Sequence, residues 1–255
     1  MLFAPHMPLH TFHRYLFLLA HPDDEIYACV LIRDLCRQGK AVKLVYATRG
    51  DAKSMAAIRT AELQASMQRI GLPNADLHLL GVPERDVLDR MGDIVEGTLA
   101  LGFRPDVVVG HDYEGGHEAH DALCFCATEV AQRTGAAQVV FPLYHGKPPE
   151  RQGARFKPGR TGYLTYPLDA DGAALKQAVM AIHASQAAHF AGLQHSAPDY
   201  LDLLTSREVF LLLQTPPDYS VPPMPEVGYA FHRNGFTFSD FQRACVACQG
   251  QRSDN

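Results

Sequence analysis

A histidine, a proline and three acids (residues 21–25, His-Pro-Asp-Asp-Glu) directly follow five apolar residues, 16–20. An apolar run of this length predicts a buried strand, and the helical spacing of apolar residues from Ile26 onward predicts a helix. The acids then lie at a strand-to-helix turn, and in an open α/β sheet such turns are where ligands bind. Negative charge there repels phosphate and attracts a cation. His21 and Asp24 offer one nitrogen and one oxygen, a donor set that suits zinc.

A second polar cluster, residues 111–121, follows the short apolar run 107–109 and precedes another helical pattern. It contains two adjacent glycines and the histidines His117 and His120. These histidines are three residues apart, so on the first turn of a helix they face the same way. Two histidine-bearing turns at one edge of a parallel sheet can converge on a single metal ion. The sequence therefore predicts that this cluster completes the ligand set begun by the first turn.

Both clusters carry motifs of a known family. Ala-His-Pro-Asp-Asp-Glu stands at residues 20–25, and Gly-Gly-His-x-x-His stands at residues 115–120. The chain resembles the zinc-dependent N-acetylglucosaminyl deacetylases (PIG-L and LmbE-like proteins), which include the GPI-anchor pathway enzyme and the mycothiol and bacillithiol deacetylases. The resemblance extends over residues 14–213. Weaker similarities are found at residues 48–51, Arg59 with Glu62, Ser185 with Gln186, and residues 208–210.

The resemblance and the side-chain chemistry together give roles to five residues. His21, Asp24 and His120 are the predicted ligands of a Zn²⁺ cofactor. Such a site leaves one position open for water and lowers the pKa of that water to about 7. Asp23 adjoins a ligand but is expected to point toward this water as the general base. His117, when protonated, would stabilise the oxyanion of the tetrahedral intermediate.

The second cluster departs from the family pattern at one position. The family usually has His-Pro-Asp-His, and this chain has His-Glu-Ala-His, so Ala119 replaces an acid. The resemblance implies that this acid orients or charges the first histidine. Ala119 therefore bears on the protonation of His117 and not on the metal ligands. Three other acids of the cluster could substitute for the missing one: Asp112, Glu114 and Asp121.

Candidate substrate contacts follow from the resemblance as well. Asp51 and Arg59 match family positions associated with sugar hydroxyl groups, and Glu84, or alternatively Asp86, is a further candidate. For Asp51, a purely local role in a turn is an equal alternative. For Arg59, an ion pair with Glu62 on the same helix is an equal alternative.

Composition excludes several classes of protein. The chain has 255 residues, 47% of them hydrophobic, which is enough for one sizeable domain. A net charge of -5 and a pI near 6.2 argue against a nucleic-acid surface. Apolar runs fall well short of the ~20 residues that span a bilayer, and we find no secretion signal, so we expect a cytoplasmic protein. A homo-oligomer is compatible with the sequence, and its six cysteines do not indicate a disulfide framework.

Strand patterns alternate with helical patterns along most of the chain. This predicts an α/β, Rossmann-like fold with a mostly parallel sheet and helices on both faces. We expect one deacetylase-like domain over residues 1–213 and a Pro-rich, polar C-terminal tail over residues 214–255. The irregular segment 144–160 is expected to arch over the pocket. One long helix is expected over residues 171–193, with mostly exposed histidines at positions 183, 189 and 195.

The leading hypothesis is a zinc amidohydrolase that removes acetyl from an N-acetylated amino sugar of the N-acetylglucosamine type in a small glycoconjugate. One alternative is a deacylase that acts on another N-acyl group, as in a modified antibiotic. A second alternative is a metal-containing glycan-binding module with little turnover, which the replacement at Ala119 keeps open.

Overall fold

A seven-stranded sheet forms the centre of the molecule in a computed structural model that describes residues 8–50, 55–73, 76–232 and 235–250. Its strands are β1 (Arg14–Leu19), β2 (Ala41–Tyr46), β3 (Leu77–Leu79), β4 (Val107–His111), β5 (Ala137–Phe141), β8 (Leu164–Pro167) and β9 (Arg207–Leu213). A separate pair is formed by β6 (Tyr144–His145) and β7 (Gln152–Gly153).

The strand order in the large sheet is β3-β2-β1-β4-β5-β9-β8. Strands β1 to β5 are parallel, whereas β9 is antiparallel to β5 and β8 is antiparallel to β9. The chain order reverses between the neighbouring strands β1 and β4, which is the place where open α/β sheets bind ligands. The predicted mostly parallel α/β fold is confirmed, and its topology puts the two polar clusters side by side.

Helices cover both faces of the sheet, as predicted. In the described ranges they are α1 (Cys29–Arg37), α2 (Ala56–Ile70), α3 (Met91–Leu99), α4 (Glu118–Thr134), α5 (Ala170–Ile182), α6 (Ala187–Ser196), α7 (Tyr200–Ser206) and α8 (Phe238–Gly250). Alternate residues of β1 point to opposite faces: Tyr15 and Phe17 join the core of α1, α2 and α5–α7, and Leu16 and Leu18 join that of α3, α4 and α8. Over these ranges, every helix is too short or too polar to cross a membrane.

The single helix expected over residues 171–193 is wrong, because the chain breaks it into α5 and α6 with a 3-10 turn at Ala184–Gln186 between them. At the break, the backbone N–H of Ser185 donates to Glu62 Oε1 at 2.8 Å, which takes it out of the helical ladder. The expectation that His183 is exposed is also wrong, since its exposed fraction is 0%. His189 is partly buried, whereas His195 is exposed as expected.

The C-terminal segment packs against the sheet-and-helix unit. Phe241, Cys245 and Cys248 of α8 are buried in the core that α3 and α4 share. Tyr229 is fully buried, and its hydroxyl donates a hydrogen bond to Asp121. The part of this segment that the structure describes is therefore integrated into the fold. The domain boundary at residue 213 stays a prediction.

A buried ion pair fixes the start of α1, the helix that follows the first polar cluster. The carboxylate of Glu208 accepts the backbone N–H groups of Val30 and Leu31, each at 2.9 Å. Lys176 Nζ lies 3.1 Å from Glu208 Oε1 and donates to Ile26 O at 2.8 Å. The carboxylate thus satisfies N–H groups in the first turn of α1, which have no partner within the helix. The ion pair therefore connects the segment after the first polar cluster to α5, which carries Lys176, and to β9, which carries Glu208.

Asp106 anchors the start of β1, and we expect Asp106→Asn to lower the Tm at pH 7 by roughly 2–4 °C. Its carboxylate accepts four hydrogen bonds, from the backbone N–H of His13 and from the backbone and side chain of Arg14. These bonds hold the pKa of Asp106 below its usual value. The stabilisation is therefore present above the unfolded-state pKa of about 3.9 and is lost as the pH falls through the lower folded-state pKa. Calorimetric melting from pH 7 to pH 3 tests this.

The matched control is Asp93→Asn, which removes an exposed carboxylate paired with Arg90. Exposed pairs contribute little, so its Tm should stay near that of the wild type. The Tm difference between wild type and Asp106→Asn should narrow below about pH 4. A difference that stays constant to pH 3 would show that the carboxylate charge is not what stabilises the strand.

Candidate metal centre and active-site pocket

The two polar clusters meet at the carboxyl ends of β1 and β4. The first cluster forms the turn after β1 and a 3-10 helix, Asp24–Tyr27. The second cluster leads from β4 into α4, which begins at Glu118 directly after its N-cap, His117. Both turns line one cavity, whose floor contains His21, Asp24 and His120. The predicted convergence of the two turns is therefore present in the structure.

The donor groups of three side chains face one another at distances close to those of a tetrahedral metal site. His120 Nε2 lies 3.2 Å from His21 Nδ1 and 3.5 Å from Asp24 Oδ1, and His21 Nδ1 lies 3.8 Å from the other oxygen of Asp24, Oδ2. Zn–N bonds of about 2.0–2.1 Å at tetrahedral angles separate two ligand atoms by about 3.3 Å. All three side chains are buried. The residues present therefore fit a zinc ion, with nitrogen and oxygen donors of the type that zinc prefers.

Neighbouring groups orient these ligands. Asp24 Oδ2 accepts the backbone N–H groups of Ala20 at 3.0 Å and of His21 at 2.7 Å, which turns Oδ1 toward His120. Burial opposes the charge on Asp24, but His111 and His120 hold the pKa of this carboxyl well below its usual range. Burial lowers the pKa of His120 to about 3. Asp24 is therefore a carboxylate and His120 a neutral imidazole, the forms in which each can ligate a metal.

Glu84 orients the other histidine of the set. Its Oε1 lies 2.6 Å from His21 Nε2, which donates its proton to Glu84. Burial acts to lower the pKa of His21, but the carboxylates of Glu84 and Asp24 raise it well above its usual value. A metal bound at Nδ1 would take the place of the second proton of this ring. Metal-ligating histidines typically donate their second N–H to a carboxylate in this way. Glu84 also lines the cavity, where it was predicted to contact substrate. The structure thus adds a contact with a candidate ligand that the sequence did not reveal.

A second donor set, formed by His21, Glu84 and His117, is less suited to a metal. His117 Nδ1 accepts the backbone N–H of Ala119 at 3.0 Å. A neutral imidazole that accepts at Nδ1 carries its proton at Nε2, so neither nitrogen offers a free lone pair. Of the two sets, the one with Asp24 and His120 is the better metal site.

Asp23 lies beside the metal-ligand set and has an unusual backbone. Its φ of 111° is in the left-handed region, which is rare for a residue other than glycine. The backbone N–H of Asp23 donates to Glu25 Oε2 at 2.9 Å, and its Oδ1 accepts from Arg59 Nη2 at 3.0 Å. Arg59 Nη2 also donates to Pro22 O. Burial raises the pKa of Asp23 to about 6, although the Arg59 guanidinium acts to lower it. The carboxyl group is therefore held in place and poised to exchange a proton near neutral pH.

Glu25, the last acid of the motif, keeps the strained turn in place. Besides the Asp23 amide, its carboxylate accepts from Tyr46 Oη at 2.9 Å, Ser66 Oγ at 2.6 Å and His183 Nε2 at 2.7 Å. All these contacts are buried, and Glu25 itself has an exposed fraction of 0%. Strained backbone persists only where its surroundings over-determine it, and Glu25 supplies that restraint. Sequence reasoning did not find this role of Glu25, although its place within the motif was the available signal.

Residues 16–131 match the sequence model of a family described as PIG-L: GlcNAc-PI de-N-acetylase. This range includes both polar clusters and every residue of the candidate metal set. This part of the chain is therefore similar to the PIG-L family. The match to a deacetylase family supports an enzyme that acts on N-acetyl groups. A search of curated proteins gave no match to the chain.

Several solved structures share the fold of this chain. N,N'-diacetylchitobiose deacetylase from Pyrococcus horikoshii matches with a TM-score of 0.55 and 19% identity, over 81% of this chain and 85% of that one. Dbv21, a deacetylase of the A40926 pseudoaglycone, matches with a TM-score of 0.58 and 17% identity, over 78% and 96%. The teicoplanin deacetylase Orf2 matches with a TM-score of 0.56 and 13% identity, over 79% and 99%. At these identities the likeness establishes the fold alone.

Ala119 departs from the PIG-L family pattern, and the structure shows what its backbone does instead. Its N–H donates to His117 Nδ1, the nitrogen that Glu118 Oε2 also approaches at 3.4 Å. Burial lowers the pKa of His117 well below its usual value, and the neighbouring His232 acts in the same direction. His117 is therefore a neutral ring that carries its proton at Nε2. The sequence put the protonation of His117 in question because of Ala119, and the lowered pKa makes the ring a neutral hydrogen-bond donor.

The three acids considered as substitutes for the missing one have other partners. Asp112 pairs with Arg160. Glu114 Oε1 accepts the N–H groups of Leu143 and Tyr144, and Asp121 accepts those of Glu114 and Gly115 together with the Tyr229 hydroxyl. These carboxylates fix the loop around His117 and do not contact its ring.

The structure places two of the predicted substrate contacts at the cavity and does not describe the third. Arg59 and Glu84 both line the cavity. Arg59 pairs with Asp23, while Glu62 accepts from the Ser185 hydroxyl at 2.6 Å, so the alternative of an Arg59–Glu62 pair is not what the structure contains. Asp51 lies outside the described residues.

Several cavity residues were not identified individually from the sequence, although Tyr144 begins the segment that was expected to arch over the pocket. Tyr144 follows β5, His189 and Phe190 belong to α6, and His232 lies in the Pro-rich C-terminal segment. The His232 ring stands 4.0 Å from the His117 ring, measured between centroids. No motif marks these positions, because chain folding alone brings them to the pocket.

Proposed function

We propose that the protein is a zinc-dependent N-deacetylase that removes the acetyl group from an N-acetylated amino sugar of the N-acetylglucosamine type in a glycoconjugate. The observation that carries this proposal is the convergence of His21, Asp24 and His120 around one point, with the carboxyl of Asp23 held beside them and outside the ligand set. The family match supports the reaction type, and the cofactor is inferred from the donor atoms.

His21, Asp24 and His120 would hold the zinc ion, which when bound supplies an acidified water molecule and a polarised amide carbonyl. Asp23 accepts the proton of the attacking water and returns it to the nitrogen of the departing amine. Its hydrogen bond from Arg59 fixes the direction of the carboxyl, and its pKa of about 6 leaves it able to accept a proton at neutral pH. Because Asp23 is next to the ligand Asp24 in the chain, the base is held at a constant position relative to the metal ligands.

His117 stabilises the negative charge that develops on the carbonyl oxygen. Its Nδ1 is occupied by the Ala119 N–H, so the Nε2–H group is the one available to donate into the cavity that His117 lines. A neutral donor of this kind is pre-oriented and needs no reorganisation as charge develops. The replacement of the family acid by Ala119 is thus compatible with catalysis.

The cavity also offers groups for the sugar. Glu84 and Arg59 present polar atoms near the donor set, while Phe190, Leu143 and Tyr27 supply apolar surface. Asp51 stays a predicted contact with a sugar hydroxyl. Mixed polar and apolar lining suits a hydroxylated ring with an acetamido group.

A second candidate is a deacylase for another N-acyl group, such as that of a modified glycopeptide. The observation that favours it is the shared fold with deacetylases of teicoplanin and of the A40926 pseudoaglycone. The same donor set and base would serve both reactions.

Release of the carboxylic acid tests the proposal, with zinc-loaded protein and a panel of substrates: acetate is measured for N-acetylglucosaminides, and the acid of the acyl group for N-acyl glycopeptides. We expect release from the sugar conjugates, abolished by a chelator and restored by zinc. Release from the glycopeptides alone would favour the second candidate. Tight binding of glycans without release at any pH between 5 and 9 would identify a glycan-binding module and refute the deacetylase.

A further inference from the structure

Arg151 is a partly buried cation at the candidate active-site cavity whose hydrogen bonds are incomplete. Its guanidinium carbon lies 5.0 Å from the centre of the Tyr144 ring, and Tyr144 lines the cavity. Arg151 Nε is buried and has no hydrogen-bond partner among the residues that the structure describes. Across the described ranges, no carboxylate oxygen lies within 4.0 Å of this guanidinium. The cation is therefore uncompensated beside the pocket.

The side chain of His232 lies beside Arg151 but cannot accept a hydrogen bond from it. Arg151 Nη2 lies 3.4 Å from His232 Nε2. His232 Nε2 is also 2.8 Å from the carbonyl oxygen of Gly116, and this short contact requires that Nε2 carries the proton and donates it. Arg151 Nη2 therefore faces a nitrogen that is itself a donor. The N–H of His232 has its acceptor in Gly116 O, whereas His232 offers none to the guanidinium.

The wall that presents His232 is firmly held. The N–H of Gly228 donates to Gly115 O at 2.6 Å, and the Tyr229 hydroxyl donates to Asp121. A Cβ atom on Gly115 would meet Pro223 at 3.0 Å, so this C-terminal segment packs closely on the loop that precedes His117. The convergence of Arg151 and His232 is therefore a built feature of the pocket wall.

The other arginines of the same loop are paired. Arg155 Nη2 bonds to Asp199, and Arg160 Nη2 bonds to Asp112. An unpaired and partly buried cation destabilises the fold unless an anion compensates it. Arginine is well suited to carboxylates and phosphates, because its planar fork can donate two parallel hydrogen bonds.

We propose that Arg151, beside Tyr144 and His232, forms a subsite for an acidic group, a carboxylate or a phosphate, carried by the substrate next to its N-acetylated sugar. The subsite rests on the proposed deacetylase function, since it assigns the group attached to the sugar. The acidic group accepts from the guanidinium and lies against Tyr144. The enzyme then prefers acidic conjugates over neutral ones.

The test compares N-acetylglucosamine 1-phosphate with methyl N-acetylglucosaminide as substrates. A hydrogen bond to a charged group contributes about 1.5–3 kcal/mol, so kcat/KM should favour the phosphate at least tenfold. In Arg151→Gln this ratio should fall toward one. In the control Arg155→Gln, which removes a neighbouring arginine already paired with Asp199, the wild-type ratio should persist. Equal kcat/KM values for the two substrates in wild type, or an unchanged ratio in Arg151→Gln, would overturn the subsite.

A binding measurement separates failure of the subsite from failure of the proposed function. Titration calorimetry with the two sugars and with inorganic phosphate needs no turnover. Tighter binding of the sugar phosphate than of the methyl glycoside, lost in Arg151→Gln, supports the subsite even if no acetate is released. Equal binding of the two sugars, or binding of inorganic phosphate as tight as that of the sugar phosphate, would contradict a subsite for a substrate-borne acid.

Discussion

Asp23→Asn is expected to lower kcat for acetate release by about 10²–10⁴-fold while the zinc content of the protein stays unchanged. Asparagine has the shape of aspartate and also tolerates positive φ, so it preserves the left-handed backbone at this position. Its amide can still accept from Arg59 but cannot take a proton from water. The metal ligands on either side keep their positions. The loss therefore isolates proton transfer from metal binding, and kcat with bound zinc measured in the same samples tests it.

Glu62→Gln is the matched control for this experiment. Glu62 is on α2 with Arg59, but its carboxylate accepts from Ser185 and does not line the cavity. This variant should retain kcat within a few-fold of wild type. If Asp23→Asn kept kcat at the wild-type level with full zinc content, another group would have to be the base.

Glu84→Ala is expected to weaken zinc binding by about 10–100-fold, the usual effect of losing a carboxylate that orients a ligating histidine. The variant leaves His21 Nε2 without the oxygen 2.6 Å away that fixes the ring and its tautomer. Glu84→Gln keeps an acceptor oxygen but loses the charge, so its zinc affinity should lie between those of wild type and Glu84→Ala. Competition with a chelator of known affinity measures all three.

Asp86→Ala supplies the control, because it removes an acid from the same 3-10 helix, Glu84–Asp86. Its carboxylate lies 3.4 Å from Arg85 Nε, at the surface. Zinc affinity should match that of wild type. An affinity of Glu84→Ala equal to that of Asp86→Ala would show that Glu84 does not orient His21, and would leave only its predicted contact with substrate.

The fold and the metal donor set were predictable because their signals are local. Apolar runs of strand length precede each polar cluster, and parallel strands bring their carboxyl ends to one edge. The spacing of His117 and His120 was enough to place both at the start of α4. Short-range patterns therefore located the two turns, and the general rule that ligand-binding turns lie at the carboxyl ends of parallel strands predicted that they meet.

Other features of the site depend on contacts between distant parts of the chain, which no local pattern encodes. His183 reaches Glu25 across 158 positions, and His232 reaches Gly116 across 116 positions. The break between α5 and α6 also has a long-range cause, since Glu62 captures the Ser185 amide. The tautomer of His117 depends on the backbone N–H of Ala119, a group that is the same in any residue type except proline.

Anomalous diffraction at the zinc absorption edge, on crystals of zinc-loaded protein that releases acetate, tests the central claim most directly. We expect one strong peak per chain bonded to His21 Nδ1, Asp24 and His120 Nε2, with the Asp23 carboxylate outside bonding distance. Zinc bound elsewhere in a protein that releases acetate, or zinc bonded to Asp23, would contradict the account.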